Sequence, residues 1–414
     1  MKVKNLSSFK LDDVLLCFYC MVYTVLSLLP AVKYSVSYVI AGSFCLVPVA
    51  LSFLKFPKLR TDIFIIAVLG IVCGLLTWLL DNGGLKETAN IAINFLRFFM
   101  PCLLFFSLSK ASTVSKWIVW VFAVLIMSFV AFKTFTAIDT NDMIARLLAN
   151  GGADEELTKY RMENIGGFGF CYAVGLTFPL WVSTVIDTKT RWVKIFAAVL
   201  IIVTFLFVLK VQYMILLIMC IFTVMLAIMY RPGNAGKKLL GFIVLLAIIF
   251  LLPLVLRAIT HLNIGTHISG KINNVASFLD GSVAAENTTS RVVKYKAAFS
   301  EFIRSPIFGA VGSKAAIKAH STWLVLGCKM GLIGISSFTY MLFSGYKWTS
   351  FTLKNFGVSR IPFVVTFVTL IVLALVNPVD YSYEISYVVF LFVPLTMLLF
   401  GEKKEGRENA KLGA

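Results

Sequence analysis

Charge is what the sequence has least of. Asp, Glu, Lys and Arg make up 14% of the 414 residues, against roughly 25% in soluble domains, and acids are the scarcer sign, 20 against 38. With 59% hydrophobic residues and a mean hydropathy of +0.90, too few charges remain to coat a water-soluble surface, and a soluble fold is excluded. Histidine occurs only at His261, His267 and His320. That spacing is too wide for a zinc motif, so neither a metal nor another cofactor is expected. No glycine-rich loop for soluble nucleotides is present. No internal repeat divides the chain into matching halves, which disfavours a transporter built from repeated bundles.

What the sequence does contain is apolar runs long enough to cross hydrocarbon, which takes roughly 20 residues. They predict an all-α polytopic membrane protein, one membrane domain over residues 1–414, with about twelve spans. The runs lie near Val14–Leu29, Val36–Leu54, Ile63–Leu80, Ile91–Ser107, Ile118–Phe132, Phe168–Ile186, Ile195–Leu209, Val211–Met229, Leu239–Leu256, Thr322–Phe343, Ile361–Leu375 and Ile385–Phe400. The seventh and eighth are hardest to separate, because only Lys210 and Gln212 interrupt them. Lys2, Lys4 and Lys10 ahead of the first run resemble a secretory leader, but Asp12 and Asp13 abut it and no small-residue cleavage motif follows, so it reads as a span.

Lysine and arginine set the orientation. With both termini inside, the inner segments hold Lys55, Lys58, Arg60, Lys110, Lys116 and their counterparts down to the basic tail, whereas the short outer loops hold little beyond Lys33 and Lys86. This alternation places most of the +18 net charge against an anionic leaflet and requires no nucleic-acid partner. All eight cysteines fall inside predicted spans as packing residues, which leaves none for disulfides in the outer loops. Asp and Glu are confined to loops and span ends, which counts against proton- or sodium-coupled transport.

Two outer loops are long enough to suggest function, residues 133–167 and 257–319. The larger carries Arg257, Lys271, Arg291, Lys294, Lys296, Arg304, Lys314 and Lys318 against three acids, a positive surplus on the side where the topology rule disfavours it. Within it, residues 291–304 read as an amphipathic helix: Val292, Tyr295, Ala298, Phe299 and Phe302 form an apolar stripe, Arg291, Lys294 and Glu301 lie on another face, and Pro306 ends it. Such a helix either rests at the headgroup interface or, more sharply, uses Arg291 and Lys294 to hold a lipid-linked phosphate, for which the planar guanidinium fork is suited. The smaller loop offers a short helix at Asp142–Leu148, and Asp139 with Asp142 reads as a helix cap rather than a cation site. Arg97, Lys210 and Lys329 sit at membrane depth, where a cation left in lipid costs about 2.5–3.5 kcal/mol, so each is expected to face the bundle interior or a wet cavity. Two simpler roles compete: Lys210 snorkelling outward, and Arg97 bonding a backbone carbonyl of another helix.

The ordered set Ser290-Arg-Val-Val-Lys-Tyr-Lys-Ala-Ala-Phe-Ser300, Ser305-Pro-Ile-Phe-Gly-Ala-Val-Gly312, His320-Ser-Thr-Trp-Leu324 and Gly331-Leu-Ile-Gly334 resembles the characteristic segment of bacterial O-antigen polymerases and ligases. The chain departs from that pattern at Leu209-Lys210-Val211-Gln212, where many members carry Ser-Arg-Gly-Ala, and at Ser321, where many carry Asn. The resemblance implies a metal-independent glycosyltransferase of the C type in the bacterial plasma membrane, its active site outside. Its substrates would be undecaprenyl-diphosphate-linked oligosaccharides of lipopolysaccharide or capsule, with membrane lipids and a chain-length regulator as partners.

For such a transfer the leaving group is a diphosphate, and fixed cations must take up its charge: Arg291, Arg161, Arg97 and Lys210, with Lys294 beside them. His320, at the outer mouth of a span, is the candidate base for the acceptor hydroxyl, with a helix cap as its alternative role. Glu163, two residues beyond Arg161, either orients an arginine or replaces His320 as base. His261 and His267 match no motif. A ligase moving finished glycan to a lipid acceptor is the near alternative. A lipid-linked oligosaccharide flippase would not need so long an outer loop.

Overall fold

In a computed structural model the chain is described over residues 11–80, 85–140, 144–148, 155–211, 213–229, 236, 243, 286–309, 321–377, 379 and 382–401. Helix follows wherever the apolar runs lie, because a backbone in hydrocarbon has to satisfy its N–H and C=O groups within its own segment. In chain order the helices are α1 (Leu11–Leu28), α2 (Pro30–Ser35), α3 (Tyr38–Lys55), α4 (Pro57–Leu80), α5 (Leu85–Lys110), α6 (Thr113–Thr140), α7 (Ile144–Leu147) and α8 (Glu155–Met162). They continue with α9 (Phe168–Gly175), α10 (Phe178–Asp187), α11 (Arg191–Val211), α12 (Met214–Met229), α13 (Glu286–Arg304), α14 (Thr322–Asn355), α15 (Ile361–Val376) and α16 (Tyr383–Phe400). Among the described residues there is no strand. Among those residues eight helices are long and apolar enough to cross a membrane, and three shorter apolar ones accompany them. Every predicted span coincides with described helix except Leu239–Leu256, of which only residue 243 is described; all three histidines lie outside the described residues.

The centre of the bundle is α16, 83% buried over its span, with α9–α10 at 78% and α5 at 61%, while α11 at 22% faces outward. Phe98 of α5 packs on Phe338 of α14 and Phe390 of α16. Inside α16, Val388–Phe392 widens into a π-helical turn, flanked by the buried Tyr387 hydroxyl that pairs with Thr24 of α1 at 2.8 Å. All eight cysteines are buried and unpaired with one another.

Loops assigned to one side of the membrane meet each other. At one end Lys33 pairs with Glu384 at 2.6 Å. At the other, Lys55 approaches Asp12 at 3.7 Å, and the Ser112 amide donates to Asp13 at 3.2 Å. Two of the carboxylates at span ends are nonetheless buried: Asp62 in the first two turns of α4 and Glu384 in the first turn of α16. Asp62 is tolerated there because α14 supplies three donors: Tyr340 and Trp348, each at 2.6 Å, and Lys347 at 3.3 Å.

The run around Lys210 resolves into two helices that double back. Climbing α11 places Phe196 beside Trp181 and Phe207 beside Phe170. Tyr213 then stacks near Tyr172 and Phe168, and Leu216 sits against Gly175, so α12 descends parallel to α9–α10. The helix expected at 291–304 begins earlier, at Glu286, and lies along the first turns of α14. Ala298 is fully buried there, its carbonyl accepting from the Cys328 thiol at 2.8 Å.

The turn after α13 locks into a break in α14. Gly331 leaves the helical region at φ 59°, ψ −151°, and the carbonyls of Pro306 and Ile307 accept from the amides of Leu332 and Ile333, at 2.8 and 3.5 Å. A Cβ on Gly331 would meet the Ile307 oxygen at 2.3 Å, and one on Gly309 (φ 81°) would meet the Lys329 carbonyl carbon at 2.5 Å. Lys329, two residues before the break, is exposed, so of the two settings expected from its depth the bundle interior does not apply. Gly357 has φ 70° with open space around it, so Gly357→Ala should cost only the left-handed strain of about 1 kcal/mol. Gly331→Ala and Gly309→Ala should each cost well over twice that, measured by thermal unfolding of the purified protein. Equal losses at all three positions would refute the interlock.

Candidate functional site

The site is built around a backbone group that a proline releases. Pro101 lacks an N–H, which leaves the carbonyl four residues back, that of Arg97, without its helical partner. Tyr23 of α1 donates its hydroxyl to that oxygen at 2.7 Å, tying α5 to α1 at the level of Arg97. The Arg97 side chain is 4% exposed. Its guanidinium carbon lies 3.6 Å from the centre of the Tyr383 ring, and the Tyr383 hydroxyl donates to Asn94, one turn away on α5. Stacking of this kind is worth roughly 2 kcal/mol when desolvated. The Arg97 Nε has no hydrogen-bond partner among the described residues.

From Arg97 the cations and rings alternate outward. Lys33 Nζ is 5.7 Å from the ring centres of both Tyr383 and Tyr34, and the Arg161 guanidinium lies 4.4 Å from Tyr34. The order Arg97, Tyr383, Lys33, Tyr34, Arg161 forms a ladder from the buried interior to the half-exposed Tyr34. Its single carboxylate, Glu384, gives one oxygen to Lys33 and the other to the Ser382 hydroxyl at 3.2 Å. Among the described residues, three cations of the ladder thus meet one carboxylate. Helix α9 can approach this pair only because Gly169 is there: a Cβ would sit 2.9 Å from Glu384 Oε2.

Local sequence explains how the rungs are placed. Pro30 starts α2 from an extended Leu29, a favoured first-turn use of proline. Helix α8 stops at Asn164, whose φ is 62°; the Ile165 amide reaches back to the Tyr160 carbonyl at 3.1 Å, a left-handed cap that asparagine tolerates. That cap holds Arg161 inward, and Asn164 Oδ1 accepts from the Ala31 amide at 3.1 Å, fastening α8 to α2. The Gly166 amide donates to Thr134 at 2.7 Å, fastening the same turn to α6.

Of the residues singled out in the sequence, Arg97 and Arg161 belong to the ladder. Glu163 sits in the turn beside Arg161 but is exposed and outside it. Lys210 stands at the same end on α11, paired with Asp139 at 2.5 Å and 3.7 Å from the Phe135 ring centre; Asp139 is thus an ion-pair partner, not a helix cap. Lys294 is exposed on α13, which also carries Arg291. His320 lies outside the described residues, but Thr322, two positions on, donates to the Asn377 carbonyl at 3.0 Å and accepts from the Val379 amide at 2.8 Å. Asn377 in turn donates to Tyr172 at 3.1 Å. Lys33, Tyr34, Tyr383 and Glu384 were not anticipated. The signal was faint: a lone outer-loop lysine, and an acid abutting the last span.

No protein-family model matches this chain, and no curated protein does either. Removing one half of a buried ion pair strands the other charge at a cost of about 3 kcal/mol. Glu384→Gln and Lys33→Met should each lower unfolding stability by that order, and the double variant should recover at least half of the loss. A double-mutant cycle with no coupling between the two would show that they do not act as a pair.

Proposed function

We propose that the chain is a multi-pass glycosyltransferase of the bacterial plasma membrane that polymerises undecaprenyl-diphosphate-linked oligosaccharide repeat units at the outer face. The Lys33 end is then the outer end, in agreement with the distribution of Lys and Arg. The observation that carries the reading is the ladder: three cations stacked on tyrosine rings at one end of the bundle, two of them more than 90% buried, an arrangement suited to a diphosphate. Arginine can donate two parallel hydrogen bonds to phosphate oxygens, and the free Nε of Arg97 has that capacity unused.

In the proposed step the acceptor sugar hydroxyl attacks the anomeric carbon of the donor glycan. The bond from that carbon to the diphosphate oxygen breaks, and the lipid diphosphate leaves with the electron pair. Arg97, Arg161 and Lys33 stabilise its charge as it develops, preorganised by their tyrosines. Arg291, Lys294 and Lys210 provide further cations at the same end in this reading. His320 takes the hydroxyl proton, with Glu163 as the alternative acceptor. Glu384 holds Lys33 in place rather than acting as base, since its oxygens are engaged by Lys33 and Ser382.

Purified protein in lipid should extend synthetic undecaprenyl-diphosphate repeat units into a ladder of products, unaffected by chelator. Arg97→Gln should lower turnover by about 10²–10³, the loss typical of one preorganised donor. His320→Ala and Arg291→Ala should each stop elongation in folded protein. Absence of any ladder would overturn the proposal, and a single transfer to a lipid acceptor would replace polymerase by ligase.

A further inference from the structure

The end opposite Lys33 gathers lysines where three helices leave the hydrocarbon. Lys55 closes α3, Lys58 lies in the first turn of α4, and Lys110 closes α5. A cation in the last turn is favoured by the negative end of the helix dipole, and α3 and α5 both use one. Together with the last turns of α14 the three lysines enclose a cleft of about 450 Å³, to which Ser109, Thr352 and Asn355 also contribute. No described carboxylate belongs to its lining.

The acids nearby are committed elsewhere. Across the ridge made by Lys55, Phe56 and Lys110, Asp12 and Asp13 line a separate cleft. Asp12 approaches Lys55 only to 3.7 Å, Asp13 accepts from the Ser112 amide, and Asp62 is taken up by Tyr340, Trp348 and Lys347. Lys110 has no hydrogen-bond or ion-pair partner among the described residues. Its Nζ lies in the corner of two rings that stand edge to face, 4.3 Å from the centre of Phe56 and 4.4 Å from that of Phe106. Such rings orient an ammonium and leave its charge in place. Arg60 adds rigidity instead of a further ligand: it donates to the Phe53 and Leu54 carbonyls at 2.7 and 2.9 Å, fixing the turn that presents Lys55 and Lys58.

The cleft is also amphiphilic in the order that a lipid is. Phe351, one turn deeper on α14 than Asn355, lines it and is exposed, and Leu54, next to Lys55, is 67% exposed. On spanning helices these side chains face hydrocarbon, so the cations stand directly above a lipid-facing surface. A soluble anion would engage the lysines alone, whereas a phospholipid engages both parts.

We propose that this cleft binds the phosphate headgroup of an anionic phospholipid, with its chains against Phe351 and Leu54. Lys58 and Lys110 hold the phosphate, and Lys55 is shared with Asp12. The lipid thereby bridges the α3–α4 turn, α5 and α14. The site lies at the far end of the bundle from the cation ladder and is independent of the reaction proposed there.

The test uses the full-length purified protein in detergent and three probes: dioleoyl phosphatidylglycerol, dioleoyl phosphatidylcholine and glycerol 3-phosphate, with bound lipid counted by native mass spectrometry. Wild type should retain phosphatidylglycerol at least about tenfold more tightly than phosphatidylcholine, and glycerol 3-phosphate in excess should not displace it. Lys58→Met and Lys110→Met should each lower that preference about fivefold, the share of one lysine near an anionic headgroup. Lys194→Met, which removes an exposed lysine from the start of α11 at the same end but outside the cleft, should leave the preference unchanged. Methionine keeps the apolar stem of lysine, so all three variants should unfold near the wild-type temperature without lipid. Lys58 is exposed, so its variant still reads the cleft if loss of Lys110 disturbs packing. Equal retention of the two lipids by wild type, or equal losses in all three variants, would overturn the site as mere surface attraction. Displacement by glycerol 3-phosphate would overturn the lipid in favour of a soluble phosphate ester.

Discussion

Hydrocarbon offers no hydrogen-bond partner, so a carbonyl released by a proline has to find its donor inside the protein. At Pro101 that requirement brings Tyr23 of α1 onto the Arg97 oxygen, and much of the Lys33 end follows from it. Once α1 and α5 are joined there, the short helix that follows α1 carries Lys33 and Tyr34 over the same region. Tyr383 of the central helix then fills the space between Lys33 and Arg97, within stacking distance of the guanidinium. The cations are held by rings and one carboxylate, none of which can drift in a close-packed bundle.

The spans were legible because apolar runs of membrane length are hard to mistake, and which loops share an end because Lys and Arg alternate between them. That pattern correctly grouped Lys33 with the loop of Glu384 and Asp13 with the segment near Lys110. Finer structure was not legible where it depends on backbone angle or on distant neighbours. Helix α8 has only Leu157 and Met162 as aliphatic residues, too few for an apolar stripe to read. The run Phe168–Ile186 is two helices meeting at Leu176–Thr177; Gly175 and Pro179 flank the join, but both are also common inside membrane helices. Gly331 is visible as a glycine, but its inverted angles exist only because the Pro306 turn docks against it. The ladder draws on residues 33, 34, 97, 161 and 383, and tyrosines near span ends read equally well as interfacial anchors.

The cation ladder and an apolar groove between α6, α10 and α11 share a wall. Thr134, in the stretch of α6 that lines the groove, accepts from the Gly166 amide in the turn that follows Arg161. Charge shielded from water and a hydrocarbon surface thus meet at one hydrogen bond.

The π-helical turn at Val388–Phe392 sets the rotational phase of the last helix. A widened turn of this kind accommodates one residue more than a regular one, and one residue in an α-helix is worth about 100° of rotation. The part of α16 before the turn and the part after it are therefore out of step with any single helical wheel. That offset lets Tyr383 and Glu384 point at the cations while Thr396 points at Trp120 on a different helix. A chain shortened by one residue within this turn would keep its length, hydropathy and span count almost unchanged. Its two ends would nevertheless be clocked to faces that no longer match, and the ladder would lose the ring at its centre.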